Sequence, residues 1–196
     1  MNVNILLAGV GGQGTVLASK LLAQCSLDCG LPAHTAETIG MAQRGGCVVS
    51  HVRLGDGMFS PIIPKGHADI IIGFEPAEAV RSIDYLKPDG TVIVSRRAIK
   101  PTMDTLADSG YDGDKMLEFL QHTVNNLVIV DGESICTQCG SSRVLNIALI
   151  GAASGCGAVT FTLDEIASAL HKLMSERYVA ASLKALSLAA KSTETR

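Results

Sequence analysis

A three-layer, doubly wound α/β fold, with a mostly parallel sheet and a Rossmann-like first strand–helix unit, is predicted by three observations. Apolar runs of strand length alternate along the chain with segments of helical period. A glycine-rich turn, Gly9-Val10-Gly11-Gly12-Gln13-Gly14, falls where the first run hands over to the first helix. The run Ala68-Asp69-Ile70-Ile71-Ile72-Gly73-Phe74 is almost continuously apolar, as in a strand covered by helices on both faces. With 196 residues and 47% hydrophobic content, the chain fits one domain, residues 1–196, able to bury roughly 70% of its unfolded surface.

The elements follow in order. A strand over residues 3–8 precedes the glycine turn, and residues 15–24 form a helix with Val16, Leu17, Leu21 and Leu22 at helical spacing. A short extended piece lies near residues 33–38, and residues 47–54 alternate as a strand with one polar face. Gly55-Asp56-Gly57 reads as a hairpin-like turn, and residues 58–66, with Pro61 and Pro64, as an extended loop. After the apolar strand, Pro76 suits a first helical turn, and Ala77, Val80, Ile83 and Leu86 continue the helix until Lys87-Pro88-Asp89-Gly90 stops it. A strand over 91–95, a helix over 115–123, a strand over 126–131 and an apolar helix over 144–153 come next. Thr162 and Glu165 have capping-box spacing before a helix over 164–174. The last helix, 177–190, carries the stripe Val179, Leu183, Leu186 and Ala190.

Composition narrows the function. Sixteen basic against nineteen acidic side chains give a net charge of −3, with no basic run, which excludes a nucleic-acid footprint. No apolar stretch approaches the roughly 18 residues of a membrane span, and Met1-Asn2-Val3-Asn4 lacks the basic start of a signal peptide. A cytoplasmic protein without a membrane partner is expected. The six cysteines include Cys136-Thr137-Gln138-Cys139 and the helically spaced Cys25 and Cys29, whereas zinc and cluster sites use two tight pairs or three close ligands and a fourth. No metal site is therefore assigned. Cys136 and Cys139 read as reduced thiols in a polar loop, away from the strand-to-helix position of a redox dithiol. His34, His51, His67, His122 and His171 are scattered, and no Ser/His/Asp or paired-carboxylate set appears, so no catalytic residue is assigned.

The glycine turn is the candidate binding element. Glycine admits positive φ and close approach of a ligand, while the first amides of a helix lack internal partners and carry the positive end of its dipole. A phosphate would meet donors already aimed, although the same turn also serves to pack a helix tightly on a sheet. A dinucleotide fingerprint further wants an acidic residue about 20 positions on, ending the second strand. The nearest candidate, Glu37, follows weak strand character, which disfavours an NAD enzyme. A second constellation, Gly40-Met41-Ala42-Gln43-Arg44-Gly45-Gly46, presents a lone arginine suited to a bidentate contact with phosphate or carboxylate, or else simply solvated or capping a helix. In a doubly wound sheet the two loops can border one crevice. The candidate cofactor-binding set is thus Gly9, Gly11, Gly12, Gln13, Gly14, Arg44, Gly45 and Gly46.

These motifs, with Val48-Val49-Ser50-His51-Val52-Arg53, the loop Ser60-Pro61-Ile62-Ile63-Pro64, and Gly73-Phe74-Glu75-Pro76-Ala77-Glu78-Ala79, resemble the gamma-type subunits of the 2-oxoacid:ferredoxin oxidoreductases. Within this pyruvate/ketoisovalerate/indolepyruvate family the indolepyruvate branch is nearest. The likeness is concentrated in the first 95 residues or so and beyond residue 100 is one of pattern. It implies a complex that converts a 2-oxoacid and coenzyme A to acyl-CoA, carbon dioxide and reduced ferredoxin. It also implies that thiamine diphosphate, magnesium and iron–sulfur clusters sit in larger partner subunits. Ferredoxin would be the complex's electron acceptor and coenzyme A its co-substrate, and this chain would bind no cofactor alone and be inactive alone. Two other readings share the glycine turn. An adenylating enzyme of the ubiquitin-activating type would need an acidic end to strand two and a second Cys-x-x-Cys; a phosphate-binding module would have no chemistry.

Overall fold

A computed structural model describes residues 2–37, 46–57, 60–99 and 111–193. The elements are β1 (Val3–Val10), α1 (Thr15–Asp28), β2 (Ala33–Glu37), β3 (Cys47–Leu54), β4 (Ala68–Gly73), α2 (Pro76–Arg81), β5 (Leu86–Ser95), α3 (Gly113–Thr123), β6 (Asn126–Val130), α4 (Gly132–Cys139), α5 (Leu145–Gly155), α6 (Leu163–Leu173) and α7 (Glu176–Thr193). The six strands form one sheet in the order β2-β3-β1-β4-β5-β6. Strands β1, β4, β5 and β6 run parallel, and β3 runs antiparallel to both its neighbours, β1 and β2. The reversal has a simple cause: residues 38–46, between β2 and β3, are fewer than the roughly one dozen that a parallel crossover needs, so the two strands must pair as a hairpin.

Helices cover both faces, giving the expected three layers. Alternation along β1 sends Ile5 and Leu7 to one face, where they join Leu21 of α1, Ile147 of α5, Leu170 of α6 and Leu186 of α7. Leu6 faces the opposite way, into a smaller core with Ile63, Ile71, Leu117 and Leu120 under α2 and α3. Helices α5 and α7 approach to backbone contact, because a Cβ on Gly151 or Gly155 would lie 2.4 Å from the carbonyl oxygen of Leu186 or Ala190. The capping box of Thr162 and Glu165 is formed, and three of the stripe residues on α7 are buried, Leu183 packing partly buried against the same core. Among the described residues no helix is long and apolar enough to cross a membrane.

Three local expectations need correction. Gly55-Asp56-Gly57 is not a hairpin turn, since β1 lies between β3 and β4. The helix opened by Pro76 ends at Arg81, is followed by a 3-10 turn over Ile83–Tyr85, and Leu86 already belongs to β5. Leu86 instead folds over Gly90, where a Cβ would lie 2.5 Å from its Cδ1, so its apolar character serves a strand irregularity and not a helix face. Finally, Cys136 and Cys139 are not in a loop: Asp131 caps α4 by accepting the amide of Ser134, and the helix runs through both cysteines to the left-handed Gly140.

Candidate functional site

The carboxyl ends of β1 and β4 meet the start of α1, and the glycine turn is what lets them meet. A Cβ on Gly9 would lie 2.7 Å from Oε1 of Gln13 and 2.9 Å from Cβ of Phe74. The Gln13 side chain fills that space: its Oε1 accepts the amide of Val10 at 2.7 Å, and its Nε2 donates to the carbonyl of Phe74 at 3.0 Å. Gly14 is the N-cap of α1 with φ 80°. Its carbonyl accepts the amide of Ala18 at 3.1 Å and Nδ2 of Asn146 at 3.3 Å. Asn146, a buried amide in an otherwise apolar helix, was not singled out from the sequence, and its isolation in Leu145-Asn146-Ile147-Ala148-Leu149 was the available signal.

The two glycine motifs do come together at one point. The amide of Gly11 donates to the carbonyl of Gly46 at 3.0 Å, so one expected phosphate donor is already engaged. Gly12 differs from its neighbours: it has φ 94°, and among the described residues nothing beyond its chain neighbours lies within 4 Å of where its Cβ would stand. Behind it, α1 has no side-chain cap and no acidic residue of its own in its first turn among the described residues. The geometry thus assigns Gly9, Gln13 and Gly14 to holding the turn, Gly11 and Gly46 to joining the loops, and Gly12 with the start of α1 to an open face. Arg44 and Gly45 lie outside the described residues.

Charge is divided across the sheet top. At the end of β4, the buried Glu75 caps α2 by accepting the amide of Glu78 at 3.1 Å, and also accepts the amide of Ile99 at 3.4 Å and the hydroxyl of Tyr111. Burial, and then the bond to Glu75, raise the Tyr111 pKa well above its ordinary value. Glu78, also buried, pairs with Arg81. Beside it the Cys47 thiol is pushed up to about 11, first by burial and then by its hydrogen bond to Glu78. The buried carboxylates of Glu75 and Glu78 thus place negative charge at the start of α2, which disfavours an anion there.

Glu37 does close β2, which corrects the expectation that no acidic residue ends the second strand. It is not placed to hold a ribose beside the glycine turn. Strand β3 separates β2 from β1, and Oε1 of Glu37 accepts the hydroxyl of Ser19 at 2.5 Å, turning the carboxylate toward α1. The Cys136 and Cys139 pair sits at the C-terminal end of α4, where the dipole disfavours thiolate, and the pKa of Cys136 is raised by burial and then by Cys139. His51 has a structural role: its Nδ1 accepts the amide of Ile63 at 3.2 Å. Among the described residues, no group of three or more His, Cys, Asp or Glu could hold a metal ion.

Comparison with known proteins follows the same outline. The family profile described as pyruvate ferredoxin/flavodoxin oxidoreductase matches residues 4–192. The chain is 36% identical over 189 residues to the indolepyruvate oxidoreductase subunit IorB of Archaeoglobus fulgidus, covering 96% of this chain and 94% of that one. Its fold is similar to the gamma subunit of a keto/oxoacid ferredoxin oxidoreductase from Geobacter sulfurreducens, with a TM-score of 0.72, 18% identity and 99% of each chain covered. It is also similar to the 2-oxoglutarate:ferredoxin oxidoreductase of Magnetococcus marinus, solved with 2-oxoglutarate, coenzyme A and succinyl-CoA bound. There the TM-score is 0.70 at 17% identity, and 98% of this chain matches 31% of that one.

Proposed function

Since this chain belongs to the pyruvate ferredoxin/flavodoxin oxidoreductase family, we propose that it is the small, gamma-type subunit of a complex that converts a 2-oxoacid and coenzyme A to acyl-CoA, carbon dioxide and reduced ferredoxin. The end-to-end alignment with an indolepyruvate oxidoreductase subunit carries this reading and favours the indolepyruvate branch. Thiamine diphosphate, magnesium and iron–sulfur clusters belong in this reading to the larger partner. The described residues of this chain hold no cluster-type ligand group, and its cysteine pair lies at a helix end that disfavours thiolate. The division of labour is tested by assay. The chain alone, given a 2-oxoacid, coenzyme A and a viologen dye, reduces nothing; with its larger subunit it supports turnover. Reduction by the chain alone overturns the assignment, as does a complex without activity.

Within that complex the open face at Gly12 and the start of α1 receives a coenzyme A phosphate, with Arg44 as its charged partner. The uncapped start of α1 and, among the described residues, the open space over Gly12 support this reading. Replacing Arg44 by Ala in the assembled enzyme is expected to weaken apparent coenzyme A affinity by about 1.5–3 kcal/mol, the range for a hydrogen bond to a charged group. Subunit association, read by size-exclusion chromatography, stays unchanged. An unaltered coenzyme A response with lost association would make Arg44 an interface residue.

A further inference from the structure

Among the described residues the outer edge of β6 has no strand beside it, and it faces a groove of about 730 Å³. Its floor is Leu127, Val128 and Ile129 of β6, and its walls come from α4 and the C-terminal ends of α5 and α7. The carbonyl of Val130 accepts the amide of Arg96 at 2.8 Å, which fixes the direction in which β6 presents its backbone. Successive residues of a strand alternate, so Val130 and Val128 turn their amides and carbonyls toward β5, while Leu127 and Ile129 turn theirs into the groove. β6 pairs only with β5 among the described residues. An edge of this kind is a template for one more strand.

Size fits that occupant. Strand rise, strand spacing and sheet spacing give an extended residue about 160 Å³, so the groove of about 730 Å³ accepts about as many residues as the five of β6. The Magnetococcus marinus enzyme adds a reason for such a contact, because there the matching unit is 31% of one longer chain. Where the unit is a separate chain, non-covalent contacts must replace the polypeptide that tethers it.

We propose that this groove is a subunit-docking site, in which an extended segment of the larger partner pairs with Leu127 and Ile129 as a seventh strand. The segment is recognised mainly by its backbone. Side-chain selection comes from the apolar lining of Ile135 and Leu188 and from the hydroxyls of Ser134 and Ser192. The inference rests on the chain being a subunit of a larger complex, and the test separates the two.

Amide hydrogen exchange of the full chain, alone and in complex with its larger subunit, reads the edge directly. The amides of Leu127 and Ile129 are expected to exchange freely in the chain alone and at least about 100-fold more slowly in the complex. Ile129→Pro removes an outward donor without touching the bonds to β5, and Ser192→Trp fills the groove from an exposed position on α7. Each is expected to weaken association about tenfold or more, Ser192→Trp at an unchanged melting temperature and Ile129→Pro at one lowered by the packing Ile129 loses against the smaller core. Ser192→Trp keeps the test decisive should Ile129→Pro fail to fold. Protection already present in the dilute chain alone would mean that its own residues cover the edge; protection that grows with its concentration would mean a second copy does. A complex that forms with both amides still exchanging freely docks elsewhere. Each of these outcomes overturns the docking site while leaving the subunit assignment intact, whereas failure of any complex to form removes both.

Discussion

The amide of Gly11 and the carbonyl of Gly46 are bonded at 3.0 Å, so the turn after β1 and the residue before β3 form one surface. Polar groups of that turn are engaged by Gly46, Phe74 and Asn146, and its glycines are needed for different reasons. Gly12 and Gly14 both have positive φ, 94° and 80°, but among the described residues only Gly14 also meets a neighbour, with Nδ2 of Asn146 2.6 Å from the site of a Cβ. Gly12→Ala is expected to cost roughly 1–2 kcal/mol, the strain of a left-handed non-glycine residue. Gly14→Ala adds displacement of a buried amide and should cost at least about 1 kcal/mol more. Urea unfolding of the two variants decides it; equal losses would mean that the Asn146 contact contributes nothing.

Gln13 should behave as a structural residue despite its place in a binding-type motif. Its side chain accepts the amide of Val10 and donates to the carbonyl of Phe74. Gln13→Ala leaves both without that partner, and a loss of about 1–3 kcal/mol is expected. Full stability in the variant, measured by the same unfolding curve, would show that water replaces the side chain and that the amide is free to serve a ligand.

The layer order and nearly every element were legible because they follow from local period: the apolar run of β4, the alternation of β3 and the capping box at Thr162 specify their own conformations. What was not legible depended on contacts between distant residues. Leu86 continues a helical spacing, yet it is held in β5 by pairing with Ala68. Glu37 ends β2 only because β3 returns beside it, and its partner Ser19 lies on a different element. The candidate site shows the same division. Glycine spacing located the turn, but that Gln13 and Asn146 consume its polar groups requires knowing that Phe74 and α5 arrive there.

Cysteine reactivity gives a third prediction. Cys25 is buried, and burial together with the charges of Asp28 and Glu165 pushes it up to about 12; Cys29, one turn on, is exposed. At pH 8, iodoacetamide should label Cys29 in the folded protein and Cys25 only on addition of denaturant, since alkylation needs an accessible thiolate. Mass spectrometry of digested samples distinguishes them. Labelling of both at similar rates in native buffer would mean that α1 opens readily at its C-terminal end.

The last prediction concerns acid stability. His51 accepts the amide of Ile63 through Nδ1, stands edge-on to Tyr85, and has its pKa lowered by burial. Only the neutral ring can accept that bond, so folding disfavours protonation. As pH falls below the ordinary histidine value of about 6.5, the unfolded chain takes up a proton that the folded chain resists, and this residue costs stability at up to about 1.4 kcal/mol per pH unit until its folded pKa is reached. Above about pH 7 its contribution is complete. His51→Asn offers an amide oxygen near the position of Nδ1 and does not titrate in this range. The unfolding midpoint of the natural chain should therefore drop more between pH 7 and pH 5 than that of His51→Asn. Parallel pH profiles for the two proteins would show that another group carries the acid sensitivity and that the loop at Ile63 does not depend on a neutral imidazole.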